Sequence, residues 1–237
     1  MIGMLTRQRW RMPEAVREWW IAGALAGLAY GALLTSLTLE LPPGAPLNGR
    51  VAWQPLWKAA MALLLARAAW RHPVARERRW LLLALGTCAL GDMLLAVPWL
   101  SFSFKAGLGA YLVAQLAYLF VLLPLAGDFR PHRLFGCGLV IGATGTLLGR
   151  IWPNLGDLAT PVAAYAATAA TMACMALLAR LPTPFAALGG LCFLLSDALI
   201  GTARFLSPFE RYELAIWWTY AGAQVLLVGG LLTGRQR

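Results

Sequence analysis

Long uncharged runs alternate along this chain with short segments that hold arginine. That is the hydropathy pattern of a polytopic helical membrane protein, and the length of the runs excludes a β-barrel. The pattern predicts eight spans, at residues 19–39, 54–70, 80–99, 107–125, 134–149, 158–178, 185–204 and 212–233. Many connections are short and carry helix-stopping residues: Pro42, Pro43 and Gly44, then Pro73, Pro131, Pro153, Pro182, Pro184 and Pro208. The fifth span is the shortest and the richest in glycine. The expected fold is an all-α polytopic membrane bundle of eight transmembrane helices, forming a single domain over residues 19–233. Residues 1–18 form a basic N-terminal segment, cytoplasmic or interfacial, and residues 234–237 a tail. The segment leads into a retained first helix, since no small-residue cleavage site follows it.

Composition agrees with this pattern. The chain has 237 residues, 60% hydrophobic and 13% charged. Its net charge of +10 would suggest nucleic acid in a soluble protein. Here the cations sit between the spans, so orientation explains them and a nucleic-acid partner is not expected. Arg7, Arg9, Arg11, Arg17, Arg71, Arg76, Arg78, Arg79, Arg130, Arg133, Arg180, Arg235 and Arg237 fall on one side. Arg50, Lys105, Arg150, Arg204 and Arg211 fall on the other, and Lys58 and Arg67 lie within the second span. The positive-inside bias then places both termini in the cytoplasm, in the setting of a bacterial inner membrane. Cys88, Cys137, Cys174 and Cys192 lie in apolar runs without CxxC spacing and read as packing residues.

Two acids change the picture. Asp92 lies inside the run Trp80 to Trp99 and Asp197 inside Phe185 to Arg204, each thirteenth from the start of its run. Burying a carboxylate at such depth costs on the order of 2.5 to 3.5 kcal/mol on insertion scales, so an intramembrane acid points to function. Counted from the outer surface, Lys58, Asp92, Gln115, Tyr165, Asp197 and Tyr220 share one level, roughly 7 to 13 Å below the interface. The inner halves of the spans carry few such groups.

A repeat groups the same residues. GDMLL (Gly91 to Leu95) is followed by YLVAQ (Tyr111 to Gln115), and SDALI (Ser196 to Ile200) by YAGAQ (Tyr220 to Gln224). With four spans in each half, the repeat is parallel, giving two four-helix halves at about 19–125 and 134–233. A site between the halves would receive one Asp from each.

The ordered set resembles the YhhN, or lysoplasmalogenase, family over roughly residues 54–233. It comprises Lys58, Gly91 and Asp92, GLGAYLVAQLAY (Gly107 to Tyr118), Ala164 and Tyr165, GGLCFLLSD (Gly189 to Asp197), Arg204 and Phe205, and Thr219, Tyr220, Ala223 and Gln224. The sequence departs from the family pattern at Ala59, where proline is usual, and at Gln115, where histidine is common. The resemblance implies a membrane hydrolase that splits the vinyl ether of a lysoplasmalogen, bearing ethanolamine or choline, into a fatty aldehyde and a glycerophospho-alcohol.

That chemistry requires an acid to protonate carbon, and a carboxylate to stabilise the resulting oxocarbenium ion and deprotonate water, as the carboxyl pair does in glycosidases. Two aspartates close together in a low-dielectric layer can divide these roles, one protonated and one ionised. Asp92 and Asp197 are the catalytic candidates, with the acid left open between them. Tyr111, Gln115, Tyr165, Tyr220 and Gln224 are candidates for holding water, carboxylates and substrate. Lys58 and Arg204, the latter seven residues beyond Asp197 and on the same helix face, are candidates for the phosphate. Structural roles compete at each position: a snorkelling Lys58, an interfacial Arg204, and interhelical bonds from the glutamines and tyrosines. The expected partners are a lysophospholipid and the surrounding lipid, and no cofactor is expected. The only histidines, His72 and His132, lie in loops, which leaves a histidine-zinc site without ligands. There is no GxSxG and no P-loop. A proton-coupled transporter is the rival reading. It needs polar lining on both sides of its site, and the inner half is dry.

Overall fold

A computed structural model describes residues 12–233. The sequence expectations for residues 1–11 and 234–237, including the arginines at 7, 9, 11, 235 and 237, lie outside the described residues. Within them are eight α-helices and no β-strand: α1 Glu14–Glu40, α2 Gln54–Ala69, α3 Ala75–Leu95, α4 Ser103–Leu122, α5 Pro131–Ile151, α6 Ala159–Leu178, α7 Phe185–Phe205 and α8 Tyr212–Leu232.

Six of these, all but α2 and α3, are long and apolar enough to cross a membrane by length and composition. Helix α2 has 16 residues and carries Lys58 and Arg67. Helix α3 begins five residues before the expected span, so Arg76, Glu77, Arg78 and Arg79 occupy its first turns, and Asp92 stands near its far end. Helix α2 is set apart by its shortness, and α3, at 21 residues, by its charges. Elsewhere the helices mostly extend the expected spans at their ends, where Pro131 occupies the first position of α5 and satisfies the φ that a helix start requires.

Consecutive helices from α1 to α4 pack side by side, α4 then packs on α6, and α6, α7 and α8 follow in turn. Helix α8 closes the ring by packing on α1 and also on α2. The closure is specific: Trp217 Nε1 donates to the Gly27 carbonyl at 3.0 Å, and Trp20 Nε1 donates to the Val225 carbonyl at 2.9 Å. Helix α5 lies outside this ring against α6 and α7.

The tightest approach is between α7 and α8. A Cβ on Gly189 would lie 2.7 Å from the Leu227 Cα, and one on Gly230 would lie 3.0 Å from the Ala186 Cα, so backbone meets backbone at both. Small residues at such crossings supply the packing that lipid, itself apolar, does not otherwise drive. Gly189→Ala is therefore expected to cost about 1–3 kcal/mol by overpacking. In a melting experiment in detergent it lowers the transition, whereas Gly142→Ala, with open space around the new methyl, leaves it in place.

At the end of the bundle that holds the loops after α4 and α6, an isolated antiparallel bridge joins Ala126 and Ala179. Arg133 reinforces it by donating to the Leu177 and Ala179 carbonyls. At the opposite end, the loop between α1 and α2 folds inward: Gln54 Nε2 donates to the Tyr30 hydroxyl and to the Leu47 carbonyl. Glu213, in the first turn of α8, accepts from Leu47 N–H and Asn48 Nδ2. One end of the bundle is stapled shut, and the loop at the other is fastened around an opening.

Candidate active site

The opening leads to a polar cavity of about 480 Å³. Asp92 lies at its base and is 0% exposed. Each carboxylate oxygen takes a tyrosine hydroxyl: Tyr111 donates to Oδ1 at 2.6 Å and Tyr220 to Oδ2 at 2.9 Å. The two tyrosines come from α4 and α8, so Asp92 joins three helices. Their rings meet edge to face with centroids 5.7 Å apart, and the buried Phe193 packs edge-on against both. Gly91 makes the arrangement possible, because a Cβ there would lie 2.7 Å from the Tyr111 ring.

Asp197 sits differently. Gln115 Nε2 donates to its Oδ2 at 2.7 Å and the Tyr165 hydroxyl to its Oδ1 at 2.9 Å. It lines the polar cavity and also a second one of about 380 Å³, lined mainly by α4, α5, α6 and α7. This second cavity is lined mostly by aliphatic side chains, among them Leu139, Leu147, Val162, Leu191 and Leu194. Leu95, Phe104, Tyr111, Asp197 and Ile200 line both cavities. A polar chamber and an apolar one therefore meet beside one carboxyl.

The buried amide of Gln115 is half used. Its Nε2 serves Asp197, while its Oε1 is buried with no partner among the described residues. An acceptor left unmade in such a place costs about 1–3 kcal/mol and is a position for a bound donor.

Lys58 and Arg204 line the polar cavity as well. The Lys58 ammonium has no hydrogen bond or ion pair among the described residues, and the Arg204 guanidinium lies over the Phe104 ring at 4.8 Å. Neither makes a salt bridge to a protein carboxylate, and Lys58 lies within electrostatic reach of Asp92 and Glu213.

Tyr165 lines the apolar chamber and reaches the site through Asp197. Gln224 lines neither cavity: its Oε1 accepts from the Tyr118 hydroxyl at 2.6 Å and its Nε2 donates to Cys88 Sγ at 3.0 Å. Its counterpart Gln115 bonds an aspartate, so the repeated YxxAQ places its two amides in different roles. Glu213 and Asn48, which also line the polar cavity, escaped the sequence reading. Glu213 stands seven residues before Tyr220 and shares its helix face, a spacing that could have drawn attention to it. Asn48 lies in a loop and gave no signal. No group of three or more His, Cys, Asp or Glu side chains among the described residues could hold a metal ion.

No solved structure matches the chain. Lysoplasmalogenases of Mycobacterium bovis and Mycobacterium tuberculosis are each 46% identical to it over 228 residues, covering 94% of this chain and 87% of the relative. The human lysoplasmalogenase TMEM86B is 32% identical over 145 residues, covering 61% of this chain and 59% of the human protein. The sequence profile of the YhhN family matches residues 53–231, a region that holds both aspartates and every side chain bonded to them, and the chain belongs to the YhhN family.

Proposed function

We propose that this protein is a membrane lysoplasmalogenase, hydrolysing the vinyl ether of a lysoplasmalogen by acid–base catalysis at Asp197 and Asp92. The observation that carries this reading is the junction of two chambers at Asp197, one polar with two cations in its lining and one apolar. A single-chain ether lipid has that same division, and its vinyl ether stands between head group and alkyl chain. The alkyl chain occupies the apolar chamber, the phosphate meets Lys58 and Arg204, and the alkenyl carbons lie beside Asp197.

Both carboxyls accept a donor on each oxygen, so it is their surroundings that divide the labour. Asp92 takes a hydroxyl donor on each oxygen and shares its chamber with Lys58, an arrangement suited to a held carboxylate. Asp197 faces the reacting carbons and carries the proton. It adds that proton to the alkenyl carbon one removed from the oxygen, and the double-bond electrons form the new C–H bond. The oxocarbenium ion left on the adjacent carbon and oxygen is stabilised by the Asp92 carboxylate. Water, held by the unpartnered Gln115 Oε1, adds to the cationic carbon as a carboxylate accepts its proton. The hemiacetal then collapses: its hydroxyl proton returns to a carboxylate, the glycerol oxygen leaves with a proton from the other, and the aldehyde is released.

In this reading all eight helices cross the bilayer as two parallel halves, both termini are cytoplasmic, and the polar chamber opens toward the outer leaflet. Inward of the aspartates the buried Gln224, Tyr118 and Cys88 bond to one another, and beyond them toward the stapled end lie the buried Leu81, Leu85, Leu122 and Leu227. A transporter would need a polar path there. Purified protein given an alkenyl glycerophosphoethanolamine is expected to release fatty aldehyde, and to leave the saturated ether of the same length intact, since only the vinyl ether can be protonated on carbon. Absence of aldehyde under conditions where the lipid binds contradicts the activity.

A further inference from the structure

Glu213 is the one carboxylate of the polar cavity that the reaction does not use. Leu47 N–H and Asn48 Nδ2 orient it from the loop between α1 and α2. Those two donors leave acceptor capacity, because an ionised carboxylate offers about four lone-pair sites.

Its height in the chamber is informative. Arg204 lies seven residues from Asp197 on α7, and Glu213 lies seven residues from Tyr220 on α8. Both therefore stand roughly 10 Å outward of the carboxyl level, on the same faces as the groups below them. One wall of the mouth carries a cation and the other an anion. They are not salt-bridged: among the described residues no ion pair joins Glu213 to Arg204, which rests on the Phe104 ring, and Glu213 reaches Lys58 only as a through-space charge. Opposite charges held apart in one cavity fit a ligand that carries both signs itself, and each ionic group taken from water needs a partner there.

Resting on the lysophospholipid reading above, we propose that Glu213 is the ammonium subsite of the polar chamber, which selects a phospho-amine head group. The phosphate lies on Lys58 and Arg204, and the amine, at the outer end, lies against Glu213. A head group ending at the phosphate would leave Glu213 facing a second anion and bind more weakly.

The test uses non-hydrolysable lipids, so that it does not depend on turnover. Dissociation constants are measured for a saturated 1-alkyl glycerophosphoethanolamine and for the matching 1-alkyl glycerophosphate, which lacks the amine. Wild type is expected to prefer the ethanolamine lipid by about tenfold. Glu213→Gln brings the two affinities to within about twofold by weakening the amine-bearing lipid alone, and Glu213→Asp restores the preference. Asn48→Ala, which loosens the loop but keeps the charge, retains it. Equal weakening of both lipids by Glu213→Gln would reduce Glu213 to a fastening for the loop and overturn the proposal, as would a wild type without preference. A wild type that shows the preference yet releases no aldehyde from the vinyl ether would keep this subsite and refute the hydrolase reading.

Discussion

Asp197→Asn and Asp92→Asn each reduce aldehyde release by about a thousandfold, within the range contributed by general acid–base groups, and neither variant unfolds. The two parts of this expectation belong together. Asparagine keeps the shape of the side chain and one acceptor oxygen, so Tyr165 retains a partner in the first variant and Tyr111 in the second. In Asp197→Asn the new amide also brings N–H donors beside Gln115, whose Oε1 is otherwise unpartnered. Replacing a buried ionisable group by a neutral amide removes a desolvation penalty, so the melting transition of Asp197→Asn stays in place or rises. Activity lost while stability is held or gained is the mark of an acid retained for chemistry. A structural acid would lose both. Rates and melting curves of the two variants, taken on the same preparations, separate these outcomes.

Lys58→Met is expected to raise KM by about 10- to 100-fold with kcat changed only a few-fold. A charged hydrogen bond to phosphate contributes about 1.5–3 kcal/mol, and in this account the head group is held equally in ground and transition states. The side chain lies in the cavity wall without a hydrogen bond or salt bridge to protein, so its removal breaks no internal contact, and the loss of its charge beside Asp92 accounts for the few-fold change in kcat. Steady-state kinetics over a range of substrate concentration checks the split. A fall in kcat alone would move Lys58 from binding into the chemical step.

Much of this site was legible because a membrane makes depth readable from sequence: a polar side chain far from the ends of an apolar run is conspicuous, and its height follows from helical rise. Asp92, Asp197, Lys58 and Tyr220 stand out in this way and Tyr111 through the repeat, and all line one cavity. Rotation about the helix axis is harder to read than depth. Gln115 and Gln224 occupy matching places in YxxAQ, yet the first bonds Asp197 and the second turns to Tyr118 and Cys88. Hydropathy likewise treats α1 and α5 as equivalent first helices of their halves. Trp217 and Trp20 draw α1 onto α8, while α5 lies against α6 and α7 and walls the apolar chamber. Those differences arise from side-chain contacts between distant elements, which a pattern of apolar runs does not encode. Glu213 was missed for another reason: an acid in the first turn of a helix is commonly just a favourable charge at the positive end of the dipole.

The most direct test of the central claim is the fate of oxygen from labelled water during turnover of a lysoplasmalogen by the wild-type protein. Protonation of carbon followed by addition of water to the alkenyl carbon predicts a glycerophospho-alcohol that carries no label. Label in the freed glycerol hydroxyl would show that the glycerol carbon–oxygen bond is the one cut, and would contradict the mechanism at its first step.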